Sequence, residues 1–142
     1  MRALLDVNTL IALLDADHKF HRTAWAWMAD NVNAGWASCP LTQNGCTRIM
    51  SQPGYASPVP LQAVIQRLHG MCSASAHQFF PDNLSIVNAK AFNHAHMHSH
   101  KQLTDVYLLA LAVKHQARLV TFDGHIPLSA VHGAKTHHLV VL

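Results

Sequence analysis

Asp6, Asp105 and Asp123 are the residues of this chain whose types and placement could do chemistry together. Asp6 ends a first apolar run, Met1-Arg-Ala-Leu-Leu-Asp6, and Asp123 ends a second, Ala117-Arg-Leu-Val-Thr-Phe-Asp123. Asp105 opens a strongly apolar helical stretch, Thr104-Asp-Val-Tyr-Leu-Leu-Ala-Leu-Ala-Val113. Ligands of an open α/β sheet bind outside the carboxyl ends of its strands. Two strand-end aspartates and one at a helix start would therefore converge on one crevice. Carboxylates gathered there repel one another and call for a cation, and Mg²⁺ takes oxygen ligands of this kind. The chemistry that follows is metal-assisted work on phosphoryl groups. Singly, each aspartate has an ordinary reading as a turn former or as a charge complementing a helix dipole. The three in this order favour a shared site.

The elements that must position them are readable from the same pattern. Residues 2–6 form a short buried strand, and residues 7–14 a helix carrying Leu10, Ile11, Leu13 and Leu14. A second helix is expected over 18–32, a short strand over 35–38, and a third helix over 41–50 with Pro40 in its first turn. Three prolines and a glycine make 51–60 a loop. A fourth helix over 61–71, a short strand within 78–82 and a helix over 86–97 follow. Thr104 is the expected cap of the next helix, with Leu103 and Leu108 as a hydrophobic staple. Residues 118–122 form a strand, and residues 136–142 a last edge strand. Helices separated by short apolar strands imply an α/β fold built on a mostly parallel sheet.

Composition narrows the class. The 142 residues suit a single domain, 1–142, with no internal repeat or linker. Charged residues are 12% of the chain against roughly 25% in an average domain. All seven acids are aspartate, so each one placed beside apolar sequence carries more information. The net charge of +3, with thirteen histidines able to add to it, is mildly compatible with a polyanionic partner. Cys39, Cys46 and Cys72 show no C-x-x-C spacing and read as reduced thiols of a cytosolic, cytoplasmic protein. No apolar run is long enough to span a membrane, and no secretory leader is expected.

Other polar residues invite chemistry with less force. On a helix, His94/His98 and His96/His100 would be i, i+4 pairs able to share a cation. An exposed polar face is favoured, because the further ligands of a zinc site are not found, although stray Zn²⁺ or Ni²⁺ capture is expected in vitro. His125 follows Asp123 closely and is read as a loop residue that could face the crevice. Asp15, Asp17, Asp30 and Asp82 fall near loops or helix ends and read as solvated. Trp25, Trp27 and Trp36 are better suited to cores or protein interfaces than to base stacking, and at least one is expected at an interface.

With these segments placed, the chain resembles the PIN-domain ribonucleases, specifically the VapC-type toxins of bacterial toxin–antitoxin pairs. The most specific pieces are Leu4-Leu-Asp-Val-Asn-Thr-Leu-Ile-Ala-Leu13, Gln102-Leu-Thr-Asp-Val-Tyr-Leu-Leu-Ala-Leu-Ala112 and Ala117-Arg-Leu-Val-Thr-Phe-Asp123. The resemblance spans nearly the whole chain. It implies a three-layer α/β/α sandwich and Mg²⁺- or Mn²⁺-dependent endoribonuclease activity leaving 5′-phosphate and 3′-hydroxyl ends. It further implies an RNA substrate, a cognate antitoxin and a homodimer. Matched motif to motif, Asp6, Asp105 and Asp123 are the implied metal-binding and catalytic acids.

One departure stands out. The family usually places a glutamate on the third helix, and the matching position here is Gln43. Glutamine offers a carbonyl oxygen without charge. Three acids then remain, enough for one well-held Mg²⁺ with retained waters. On that alignment a glutamate at 43 would add a fourth carboxylate to the cation site. Asn8 is a candidate to bond a ligating carboxylate or the substrate, with helix capping as its ordinary alternative. Thr121 is a candidate supporting hydroxyl or a plain strand residue. Arg48, one turn beyond Gln43, could reach a substrate phosphate or an antitoxin carboxylate, or stay solvated. Two competing functions remain at this stage. One is a PIN-like RNA- or antitoxin-binding module impaired by Gln43. The other is a phosphatase of the haloacid-dehalogenase type or a phosphoacceptor receiver. The last is weakest, because Asn8 stands where a dehalogenase expects its second aspartate.

Overall fold

Every strand of the sheet is three or four residues long, and the three central ones are almost entirely buried. The computed structural model of the protein describes residues 1–74 and 76–142. The strands are β1 (Ala3–Leu5), β2 (Trp36–Ser38), β3 (His77–Phe79), β4 (Arg118–Thr121) and β5 (Leu139–Val141). They form one sheet in the order β3-β2-β1-β4-β5, with every pairing parallel. Parallel neighbours need long crossovers, usually helical. The helices are α1 (Val7–Leu14), α2 (His21–Asn31), α3 (Pro40–Ser51), α4 (Leu61–Ala74) and α5 (Leu103–Lys114).

Alternation along β1 builds the layers. Ala3 and Leu5 face a core made with α1, α2, α3 and α4, and Leu4 faces a second core made with α5. In register, Leu4 lies between Ala37 of β2 and Leu119 of β4, and all three are fully buried. Burying each leucine contributes about 1.5–3 kcal/mol. Truncating Leu4 to alanine would cost about 2–5 kcal/mol, since it is fully buried in the core against α5. The result is the expected three-layer α/β/α sandwich.

Most elements lie where the sequence places them, with shifted ends. The second helix starts at His21 rather than 18, and α4 continues to Ala74. Pro40 opens α3 as expected, and the Cys39 N–H there donates to Thr42 Oγ1 at 3.0 Å. The last strand is shorter than expected, because Thr136–His138 forms a 3₁₀ turn ahead of β5.

Three expectations are corrected. No α-helix runs through 86–97, where only His94–His96 makes a 3₁₀ turn. Phe92 is buried and bridges Val131, the Asn93 N–H donates to Ala130 O, and the His132 N–H donates to Ala91 O. Isolated turns such as Phe92 N–H to Asn88 O form, but these bonds to a distant loop interrupt any continuous helical ladder. Thr104 does not cap α5, which starts one residue earlier and continues from the 3₁₀ turn His100–Gln102. Ser99 Oγ caps that turn by accepting from the Lys101 N–H, and Leu103 is exposed, so the staple with buried Leu108 does not form. Asp15 is buried rather than solvated: it accepts the Tyr55 hydroxyl on one oxygen and the Asp17 N–H on the other.

The tryptophans divide by depth. Trp36 is in the core, Trp27 is half-buried beneath the Arg118 guanidinium, and Trp25 is exposed while its indole N–H donates to Leu13 O. Among the described residues no helix is long and apolar enough to cross a membrane.

The strand order fixes where a ligand belongs. The chain leaves β1 for β2 and β3 on one side, then returns to place β4 on the other side of β1. The topological switch point therefore lies between β1 and β4, where crevices form in open α/β sheets.

Candidate active site

Asp6 follows the last residue of β1 and is the N-cap of α1. Its carboxylate accepts the Thr9 N–H at 2.7 Å, which satisfies one of the free donors of the helix start. Its own N–H donates to Val120 O of β4, locking the strand end to its neighbour. Asp6 is 3% exposed. Burial raises its pKa, hydrogen bonds from Thr121 and Thr9 pull it down, and the Asp123 charge pushes it up again.

Asp123 lies two residues past the end of β4 and is far more open than Asp6. Its N–H donates to Thr121 Oγ1 at 2.9 Å. Its Oδ1 accepts the His125 N–H at 2.8 Å and lies 3.1 Å from His125 Nδ1. Thr121, fully buried, thus serves both strand-end acids: it bonds the Asp6 side chain and accepts from the Asp123 backbone. His125 is exposed and held against Asp123, so the loop residue does sit at the site.

Asp105 enters from the first turn of α5 and is half-buried. Its pKa is pushed up to about 6, first by burial and then by the charges of Asp6 and Asp123. The α5 start is tied to the Asp123 loop by the Gln102 amide, which donates to His125 O at 2.8 Å. Asp105 is thus close enough to the other two aspartates to feel their charge.

A cavity of about 280 Å³ opens on this corner. Asp6 and Asn8 line it from α1 and the β1 end, Thr104 and Asp105 from α5, and Leu41, Gly45, Arg48 and Ile49 from α3. Asn8 is inside α1 and exposed to the cavity; the capping alternative belongs to Asp6 instead. Arg48 is exposed at the mouth.

Gln43 is not brought to this crevice. Its amide donates to Ser38 Oγ at 2.9 Å, and its side chain lines a separate groove between α3 and α4. On a helix, the face carrying 41, 45, 48 and 49 looks away from position 43. Gln43 was expected at the edge of the acid cluster; its amide is instead engaged by Ser38, and it is not among the residues lining the cavity. The histidine run is also not assembled. The i, i+4 pairs His94/His98 and His96/His100 required a helix that is absent, and the His94 ring bonds Ile86 O. Sequence reasoning missed Thr9. An aspartate three residues before a threonine, at the start of an apolar helix, was the signal of an N-cap.

The donor set suits a hard divalent cation. Asp6 and Asp105 put acidic oxygens on the cavity wall, Asp123 stands on the neighbouring loop outside its lining, and burial first, then nearby carboxylate charge, raises the pKa of Asp6 and Asp105. Among the described residues no three His, Cys or Asp side chains already close around one point. Mg²⁺ tolerates that, since it keeps several waters and binds through one or two carboxylates.

Comparison with known proteins agrees with this architecture. The PIN domain family matches residues 3–131. The chain is 49% identical to Ribonuclease VapC44 of Mycobacterium tuberculosis over 142 residues, covering 100% of both chains. It is 38% identical to Ribonuclease VapC39 of the same organism over 135 residues, 94% of this chain and 96% of the relative. Ribonuclease VapC38 of that organism is 34% identical over 135 residues, 94% of each chain. The sheet order, the switch-point acids and these full-length likenesses agree: the chain belongs to the PIN-domain family, in its VapC-type branch.

Proposed function

We propose that this chain is a metal-dependent endoribonuclease, the toxin of a type II toxin–antitoxin pair, hydrolysing RNA phosphodiester bonds. The observation that carries the reading is the placement of Asp6 and Asp105 on one cavity at the β1/β4 switch point, with Asp123 on the loop that follows β4. The relatives' own names as ribonucleases support it.

Asp6, Asp105 and Asp123 would hold Mg²⁺ or Mn²⁺, which when bound supplies charge neutralisation at a phosphate and a more acidic water. Asp6 presents a fixed, desolvated carboxylate, oriented by Thr9 and Thr121. Outer hydrogen bonds of this kind orient ligands and tune their basicity. Asp123, on the loop after β4, has its Oδ1 held by His125, which leaves its other oxygen free of that contact. Asn8 and Thr104 supply neutral polar groups at the cavity wall for substrate. Hydrolysis would leave 5′-phosphate and 3′-hydroxyl ends.

A cognate antitoxin and a homodimeric state complete the proposal; light scattering at micromolar concentration tests the second. The alternative of a module impaired by Gln43 is less favoured, because that side chain donates to Ser38 and the relatives are named ribonucleases. The decisive experiment is cleavage of unstructured RNA with Mg²⁺ or Mn²⁺. Activity abolished by EDTA and by Asp6→Asn is expected; metal-independent activity, or full activity of Asp6→Asn, would overturn the reading.

A further inference from the structure

The acid crevice carries one cation that the fold leaves unused. Gly45 makes this possible. A Cβ there would lie 2.8 Å from Val7 Cγ2, so only glycine lets α3 lie this close to the start of α1. Three residues on, the same face of α3 sets Arg48 at the mouth of the cavity that Asp6 and Asp105 line. Arg48 is the only lysine or arginine among the residues lining it, and it is exposed. Among the described residues it makes no ion pair. Nor does it serve as counter-ion to the acids, whose carboxyls burial and mutual repulsion push up. Arg48 also lines the groove between α3 and α4, and the two cavities meet at Leu41, Gly45 and Arg48.

We propose that Arg48 grips the phosphate next to the scissile one in single-stranded RNA, at the junction where the strand leaves the acid crevice for the α3/α4 groove. The inference rests on the ribonuclease reading and deepens it. A guanidinium presents two parallel N–H donors that match phosphate oxygens, and as a planar fork it fixes the direction of the link it holds. Three carboxylates alone would repel a polyanion, so a cation at the rim gives the strand a first point of attachment and sets its register before any bond is cut. A purely structural role is the competing account: Arg48 lies in the last turns of α3, where a positive charge favours the helix dipole.

Binding measured without chemistry separates the two. In EDTA, the anisotropy of a labelled, unstructured RNA is titrated with the wild-type chain, Arg48→Ala and Arg48→Lys over a range of salt. Arg48→Ala should bind about tenfold more weakly, the loss expected for a charge-assisted hydrogen bond. Its plot of log affinity against log salt should be shallower by about 0.7, the slope of one released counter-ion on a single strand. Arg48→Lys should keep the wild-type slope and recover only part of the affinity. With Mn²⁺, the loss in Arg48→Ala should fall on KM more than on kcat. Wild-type affinity and slope in Arg48→Ala, from a protein whose wild type binds and cleaves RNA, overturns the proposal while leaving the nuclease reading intact. A wild type that neither binds nor cleaves RNA overturns both. If Arg48→Ala melts early, the Lys variant decides, since an unchanged dipole with halved RNA affinity and an intact slope has no purely structural explanation.

Discussion

Two regions of this molecule are dense in potential metal ligands, and they are built in opposite ways. Segment 94–100 holds four histidines within seven residues, while the crevice draws its acids from positions 6, 105 and 123. The histidines that look adjacent are spread along an irregular, largely exposed segment, and the His96 and His98 ring centroids are 6.4 Å apart. The aspartates that look remote are brought together because parallel strands end side by side. The histidines remain hydrated at little cost. Asp6 and Asp105 have lost water and face each other's charge, so the fold holds them against an electrostatic penalty. Groups held at a cost mark function better than groups that are merely close in sequence.

The comparison breaks if the crevice does not carry that penalty. Removing one acid should abolish activity and relieve strain together. Asp105→Asn should lower RNA cleavage by at least about 100-fold, more than the about 10–100-fold lost with an outer-shell partner. The same variant should change the pH dependence of stability. The Asp105 carboxyl titrates near 6 in the folded chain against 3.8 as its ordinary value. The native state therefore binds the extra proton between these values, and its stability falls as pH rises through that window. Because the group is only half-buried, solvent reduces the effect. In EDTA the wild type should melt progressively below Asp105→Asn from pH 4 to 7, and Mn²⁺ should close the gap. Thermal melts of the two proteins share every histidine, so their difference isolates this group. Parallel melting curves would show that the acids are not coupled.

A smaller effect comes from the support beneath the acids. Thr121→Val keeps the β-branched shape of the strand but removes the hydroxyl that bonds Asp6 and receives the Asp123 N–H. Metal affinity or activity should drop by about 10–100-fold. Isothermal titration with Mn²⁺ reads it directly, and an unchanged affinity would demote Thr121 to a strand residue.

What was legible in the sequence follows from the same contrast. Apolar runs ending in Asp6 and Asp123 report strands buried on both faces, and local pattern suffices for those. The segment 86–97 defeats local reading because its backbone partners, Ala130 and His132, lie some forty residues away. Asp15 escapes local reading for the same reason, since its carboxylate accepts from Tyr55 in the α3–α4 connection. Gln43 is a question of rotation about an axis. Motif alignment gives a position along α3, whereas the approach of α1 at Gly45 decides which face meets the acids.

That rotation makes Gln43→Glu a sharper test than the sequence allowed. A fourth carboxylate at the ion was expected from alignment. From the geometry, the new charge would stand beside Ser38 on the α3/α4 side. Mn²⁺ affinity and RNA cleavage should stay within about twofold of wild type, as for substitutions away from a site. Loss of the amide donor to Ser38 should cost about 1 kcal/mol of stability, read by denaturant unfolding. A rise in Mn²⁺ affinity would mean that α3 turns the position toward the crevice when metal binds.

The smallest effect belongs to the histidine segment, and a null result there is informative. His96, His98 and His100 are candidates only by spacing, and without a helix the i, i+4 geometry is lost. His94 is left in place, because its ring bonds Ile86 O and stacks near Phe92, so removing it would disturb packing as well. The triple variant His96/His98/His100→Ala removes three largely exposed imidazoles and no core contact. Its RNA cleavage and Mn²⁺-dependent melting shift should match wild type within about twofold. Weak Zn²⁺ or Ni²⁺ capture by the wild type should be the property that falls, measured by competition with a chromogenic chelator. Loss of the Mn²⁺ response in this variant would mean that the segment closes over the crevice and donates to it. Ligand density along the chain would then have carried functional information that the strand ends alone do not.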